Sequence, residues 1–356
     1  MKNILLGTSA LVAAGLMVAP AAAQEGVQLG LGGFYFGAVG GNFDESGAPS
    51  DRQDDVEFKQ QVEVHFDGET TLDNGITVGA RVELEGFRTT DVIDEAYARF
   101  SGGFGEVRFG DDDDAYAQLC YLVPTASSAF GADSPFLNFS NAGTNGTCYG
   151  LSGDSTKLIY FTPSFGGLQL AGSYAADDHE ASADNFTGTE VKDGGLQDIY
   201  SAALTYATEI DAFSIAVGGG GSWAKYEDPA SDLDDPAHYN AYVQGGFAGW
   251  TIGAVYNLRE NDLGDNLDSE VYGAGVTYGF EAWTVGLGWT HGEYDDGATL
   301  GFVPVDELDI YQFTAAYALG PGVTVDAMVG YNDGAAVAGG EDYESVEAGV
   351  GFGLSF

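Results

Sequence analysis

The chain has 356 residues, with 55 Asp+Glu against 11 Lys+Arg and a formal net charge of −44. A surface this acidic repels phosphate backbones and excludes nucleic acid as a partner. At 44% hydrophobic and 13% aromatic content the chain is too apolar to be a disordered acidic polymer.

The amino-terminal segment reads as a leader. Lys2 gives a positive start, Ile4 to Pro20 is apolar or weakly polar, and Ala21-Ala22-Ala23 supplies an A-x-A cleavage site. Residues 1–23 are expected to be removed as a signal peptide, with 24–356 as one folded unit. No later segment approaches the ~18 consecutive apolar residues of a transmembrane helix. An exported chain of this kind is soluble or forms a membrane barrel.

From Val27 onward, apolar and polar residues alternate in sixteen segments, expected as strands. They cover 27–43, 55–68, 76–87, 93–102, 105–111, 156–165, 168–178 and 198–210. The second half continues with 212–226, 238–248, 250–260, 269–280, 283–296, 306–319, 322–333 and 343–356. Short connections such as Leu72-Asp73-Asn74-Gly75 and Leu319-Gly320-Pro321-Gly322 alternate with long acidic ones at 44–54, 112–155, 179–197, 227–237, 261–268, 297–305 and 334–342. In the last segment Val346, Ala348, Val350, Phe352, Leu354 and Phe356 share one face, and Glu347, Gly349, Gly351, Gly353 and Ser355 share the other. A soluble sandwich would need a shared core, whereas each segment here is amphipathic by itself. Short turns at one end, long loops at the other and an even count describe an all-β, 16-stranded antiparallel transmembrane β-barrel.

The period of two assigns faces. Trp283, Val285, Leu287 and Trp289 point to lipid; Thr284, Gly286, Gly288 and Thr290 point to an aqueous interior. The same parity turns Lys59, His65, Arg81, Glu83, Glu85, Glu95, Tyr97, Arg99, Glu106 and Arg108 inward. Lys59, Arg81, Arg99 and Arg108 therefore form a basic patch on one part of the inner wall, unless they pair with Glu83, Glu95 and Glu106. The longest connection, 112–155, follows directly. A segment of ~40 residues without periodicity is usually functional. It brings Asp111, Asp112, Asp113, Asp114, Asp133 and Asp154. Folded against a basic wall, such a loop would make a narrow point that filters by size and charge.

Cys120 and Cys148 both fall in this loop, and in an oxidising compartment a single disulfide is the natural expectation. The run Asp111, Asp112, Asp113, Asp114, and the pairs Asp177-Asp178, Asp234-Asp235 and Asp295-Asp296, offer clustered oxygens of the kind calcium takes; solvated surface charge is the competing reading. Catalysis is not expected. His65, His179, His238 and His291 lie on distant segments, and no G-x-S-x-G elbow occurs after the leader.

Gly105-Glu106-Val107-Arg108-Phe109-Gly110 before the long loop, Tyr160-Phe161-Thr162-Pro163-Ser164-Phe165-Gly166-Gly167-Leu168-Gln169-Leu170 after it, the leader and Phe356 together resemble Gram-negative general porins, more narrowly those of Rhodobacter-type alphaproteobacteria. The resemblance implies a homotrimer in outer-membrane lipid and lipopolysaccharide, with the third loop folded inward as an eyelet and Arg81, Arg99 and Arg108 as its basic side. The resemblance implies no cofactor; calcium rests on the aspartate clusters alone. Some porins carry Pro-Glu-Phe-Gly-Gly-Asp in that loop; here Ser128-Ala129-Phe130-Gly131-Ala132-Asp133 replaces the acid by Ala129. The negative side then falls to Asp133 or to the Asp111–Asp114 run. The function so implied is passive diffusion of small hydrophilic solutes and ions; the acidic excess, opposed locally by the basic patch, adds a weak cation preference. The alternatives are a substrate-selective channel with a site in the eyelet, or a plugged structural or adhesive barrel.

Overall fold

Alternating segments that expose one apolar face cannot stay soluble alone, and pairing edge to edge satisfies their backbone only if the sheet closes. A computed structural model describes residues 26–46, 56–86, 92–178, 195–228, 233–261, 268–300, 303–336 and 341–356. The expected leader and His179 lie outside these residues. The described strands close into one barrel in which each strand pairs antiparallel with its sequence neighbours and the first pairs with the last. They are β1 (Gln28–Ser46), β2 (Glu57–Thr71), β3 (Thr77–Glu85), β4 (Ile93–Gly102) and β5 (Gly105–Asp111) before the long loop. After it come β6 (Thr156–Phe161), β7 (Leu168–Asp177), β8 (Leu196–Ile210), β9 (Phe213–Tyr226), β10 (Ala237–Phe247) and β11 (Trp250–Glu260). The set ends with β12 (Ser269–Phe280), β13 (Trp283–Leu300), β14 (Val303–Gly320), β15 (Val323–Ala336) and β16 (Tyr343–Ser355). Closure is sealed at the last residue. Gly33 N–H donates to the Phe356 carbonyl at 3.0 Å, and Phe356 N–H returns to Gly33 at 3.1 Å.

The faces are inverted relative to a soluble protein. Leu287 is 59% exposed and Ile252 61%, whereas Thr290 is fully buried and Asp326 only 2% exposed. Apolar side chains face outward to lipid and polar ones inward, except where the long loop covers inner-face residues such as Phe36, Val255 and Met328.

Three expected loops are corrected, the first of them 44–54, which β1 enters as far as Ser46. The stretch 297–305 is largely strand: β13 runs to Leu300 and β14 starts at Val303, with Ala298 opposite Val305. Likewise β15 extends into the expected 334–342 loop, to Ala336. Small residues, with Gly297, Gly301, Pro304 and Gly334 among them, imitate a loop there, but strand pairing continues.

The segment 112–155 makes its contacts with inner-face side chains around most of the barrel. It opens with one helical turn, α1 (Ala115–Gln118), capped by the Asp114 carboxylate, which accepts from Ala117 N–H at 3.0 Å. Ser173 of β7 accepts from Ala115 N–H, and Ser201 of β8 accepts from Tyr116 N–H. Thr314 of β14 accepts from Ala126 N–H at 3.0 Å, and Glu347 of β16 accepts from Phe139 N–H at 2.9 Å. The apolar core lies between segment and wall: Phe130, Leu137 and Phe139 pack on Phe36, Ala38 and Met328, and Val123 packs on Tyr242 and Val255. Glycines make the room. A Cβ on Gly273 would fall 2.5 Å from a Val123 methyl, and one on Gly40 would fall 2.5 Å from the Phe139 ring.

Candidate functional site: a charged wall facing the long loop

Strands β2 to β5 carry the four basic residues that parity turns inward, and each meets carboxylates of the same wall. Lys59 is 3.0 Å from Glu57, donates to the Asn138 carbonyl in the loop and stands 5.2 Å above the Phe139 ring. Arg81 pairs with Glu83 and reaches His65 Nδ1 at 2.6 Å. A guanidinium can only donate, so Nδ1 accepts and the His65 proton sits on Nε2. From there it donates toward Glu63 at 3.1 Å and Glu83 at 3.2 Å. Arg99 donates to Glu69 at 2.7 Å and lies 3.8 Å from Asp67. Arg108 is clamped: Nε donates to Glu106 at 2.7 Å, Nη1 to Asp112 at 3.1 Å, and its guanidinium lies 4.9 Å from the ring centres of both Tyr97 and Phe161. The wall is a mixed row of acids and bases rather than a basic patch.

The acidic residues expected on the loop side are distributed differently. Asp133 is 4% exposed and accepts from Val123 N–H, Thr147 N–H, Thr147 Oγ1 and Ser134 Oγ at 2.6–3.1 Å. It is enclosed in the loop. Asp114 caps α1 and accepts from Ser222 at 2.9 Å; Asp112, fully buried, takes Arg108 and the Gln118 amide. Asp111 accepts from Thr156 Oγ1. Burial, with Asp154, Asp114 and Asp112 nearby, holds the Asp113 carboxyl well above the usual range, opposed by Lys157. Burial likewise raises Asp133 against its four hydrogen bonds.

Among the described residues the convergent ligand sets are Glu63–His65–Glu83 and Glu63–Glu85–Asp94; the Asp111–Asp114 run forms none. The first set already holds the Arg81 guanidinium as its cation. The second offers only carboxylate oxygens, the donor type of hard cations.

Cys120 and Cys148 are bonded, with Cα atoms 5.7 Å apart. Parity turns Thr290 inward, where it donates to the Ala132 carbonyl, and the same rule could have found Ser173, Ser201 and Thr314, which also seat the loop. The inward Phe34 and Phe36 of β1, for which the sequence reading names no face, run against the expectation that bulky faces meet lipid.

A closed sixteen-strand barrel, greasy outside and polar inside, defines a membrane channel protein. The chain matches the Gram-negative porin family over residues 7–336 and belongs to it; it is an outer-membrane porin. Among curated relatives, "Monosaccharide porin" of Halomonas sp is 26% identical over 291 residues, 72% of this chain and 78% of that one. Among solved structures, an anion-selective porin from Comamonas acidovorans aligns with TM-score 0.61 at 14% identity, covering 93% of this chain and all of that one. In-vitro folded OmpT of Vibrio cholerae, in trimer form, aligns at 0.59 with 15% identity, covering 93% and 100%.

Proposed function

We propose that this porin passes small hydrophilic solutes and ions by passive diffusion, with a modest preference for cations, and works as a homotrimer seated in outer-membrane lipid and lipopolysaccharide. The observation that carries this reading is the long loop, anchored on the inner faces of β7 to β16 and touching β2, opposite a charged wall. Loop and wall together narrow the passage. Lys59, Arg81, Arg99 and Arg108 supply the basic part of the constriction, and Asp67, Glu69 and Glu106 supply acids beside them. Asp133 and Asp112 hold the loop instead of lining the opening. With 55 acidic against 11 basic residues, the potential at the mouths is negative and enriches cations. The anion-selective channel with a similar barrel supports the view that charge placement, rather than fold, sets the sign of selectivity.

The reversal potential of reconstituted channels in a KCl gradient tests this. Cation preference is expected, weakening toward 1 M salt as the Debye length falls to about 3 Å. Arg99→Gln should strengthen it. Anion preference at low salt refutes the reading. The trimer is checked by its mass in detergent. A second reading, a channel that favours sugars, draws support from the name of the Halomonas relative.

A further inference from the structure

Three aromatic rings stand where an aqueous passage ordinarily presents polar groups. Phe34 and Phe36 lie opposite Glu63 and Gln61 in the β1–β2 register, so both rings point inward. Their centroids are 4.9 Å apart. From the loop, Phe136 closes on them at 5.2 Å from Phe34 and 5.5 Å from Phe36. Phe36 is buried, but Phe136 is 48% exposed and Phe34 is half-buried. The exposed ring does not face lipid, because β1 stands between. Nor does it sit on a frayed segment: the next residue, Leu137, is 4% exposed and donates its N–H to Ala129 at 3.0 Å.

Beside this shelf runs the polar row. The Phe34 ring meets His65 edge-on at 6.2 Å, and His65 accepts from Arg81, which pairs with Glu83. Glu63, Glu83 and Glu85 outnumber Arg81 there, so an anion is repelled, and a small hydrated cation has no apolar face to lay on the rings. A hydroxyl both donates and accepts, and can join such pairs without breaking them. An exposed ring, in turn, gains by covering itself with an apolar face. The solute that meets both demands is uncharged and carries hydroxyls around its rim and C–H groups on its faces.

We infer that Phe34 and Phe136, with the His65–Arg81 row, form a weak transit site for pyranose monosaccharides; this rests on the channel reading above and assigns its residues. The apolar shelf orients the ring and the row reads the hydroxyls, as in most small-molecule sites.

The test is single-channel recording with D-glucose as probe and D-mannitol, an open-chain polyol without a ring face, as control. Glucose should lower the conductance saturably, beyond the effect of viscosity, and mannitol should not. Phe136→Ala and Phe136→Leu should each raise the half-blocking glucose concentration about tenfold, the order expected for losing one aromatic contact. Phe136→Trp should keep the block. The Leu variant preserves apolar volume, so loop collapse cannot mimic loss of the ring. Equal, unsaturating reductions by glucose and mannitol overturn the inference, as does glucose block unchanged in both the Ala and Leu variants, while the channel reading survives in either case. Absence of any conductance before sugar is added overturns the channel reading itself.

Discussion

Replacing Asp133 separates two roles for an acid in the loop. Its carboxylate accepts from Val123 N–H at 3.1 Å and from Thr147 N–H at 3.0 Å, and both donor residues are buried. Asp133→Ala strands both amides. Each buried donor left without an acceptor costs ~1–3 kcal/mol, so the loop should lose about 2–6 kcal/mol of local stability. The barrel ladder takes no part and should not change. Val123 and Thr147 flank Cys120 and Cys148, so the disulfide limits the damage to loosening. Hydrogen exchange read by mass spectrometry should show loss of protection in peptides from 120–148 by roughly thirtyfold or more, with strand peptides unaltered. Asp133→Asn sharpens the result. It removes the charge but keeps one acceptor oxygen, so a clasp loses part of its protection while the reversal potential barely moves. If Asp133→Asn shifts the reversal potential toward anions and leaves protection intact, the carboxylate faces the opening and the clasp account fails.

Two other outcomes follow from the same loop. Reducing Cys120–Cys148, which closes 28 sequence steps, should cost the loop about 3–4 kcal/mol on the chain-entropy model, leave strand content and the proposed trimer intact, and make the open-channel current noisier; a quiet current would show that the wall contacts suffice to hold the loop. The raised Asp113 carboxyl means the folded loop binds its proton more tightly than the unfolded chain does, so its contribution is fully present below about pH 4 and is lost as pH climbs from there through the folded value. Exchange protection over 112–118, corrected for intrinsic rate, should therefore fall with rising pH and become flatter in Asp113→Asn; protection that rises with pH contradicts this.

Strand positions were legible because lipid and water impose opposite demands on alternate residues. Expected and observed bounds coincide for 93–102, 105–111, 250–260 and 269–280. The reading failed where that contrast ends. At 297–300 and 334–336 pairing continues, yet the sequence there carries no alternation of grease and polarity. Only the hydrogen-bond ladder marks these residues as strand, and it leaves no trace in composition. The inward direction of Lys59, Arg81, Arg99 and Arg108 followed from parity. Pairing of Lys59 with Glu57, Arg81 with Glu83 and Arg108 with Glu106 joins residues two apart on one strand, which the period of two does encode; pairing of Arg99 on β4 with Glu69 on β2 depends on register and side-chain reach, which it does not. Asp133 reads as a solvent-facing acid in any composition-based view. Its enclosure depends on Thr147, fourteen residues away, folding back over it. Phe34 and Phe36 run against the rule that bulky groups seek lipid, which fails where a loop covers the inner wall.

The bare wall beneath the loop gives the channel a form of adjustment from behind. Gly273 and Gly275 lie against Val123, Gly286 against Ala126, and Gly288 against Ala132. None of these glycines need touch a passing solute. A methyl added at any of them acts as a shim, lifting the loop off the strands toward the opposite wall. Pore width can thus be altered at positions outside the opening, with the charges that govern selectivity left in place. Loop length and lining chemistry need not change together.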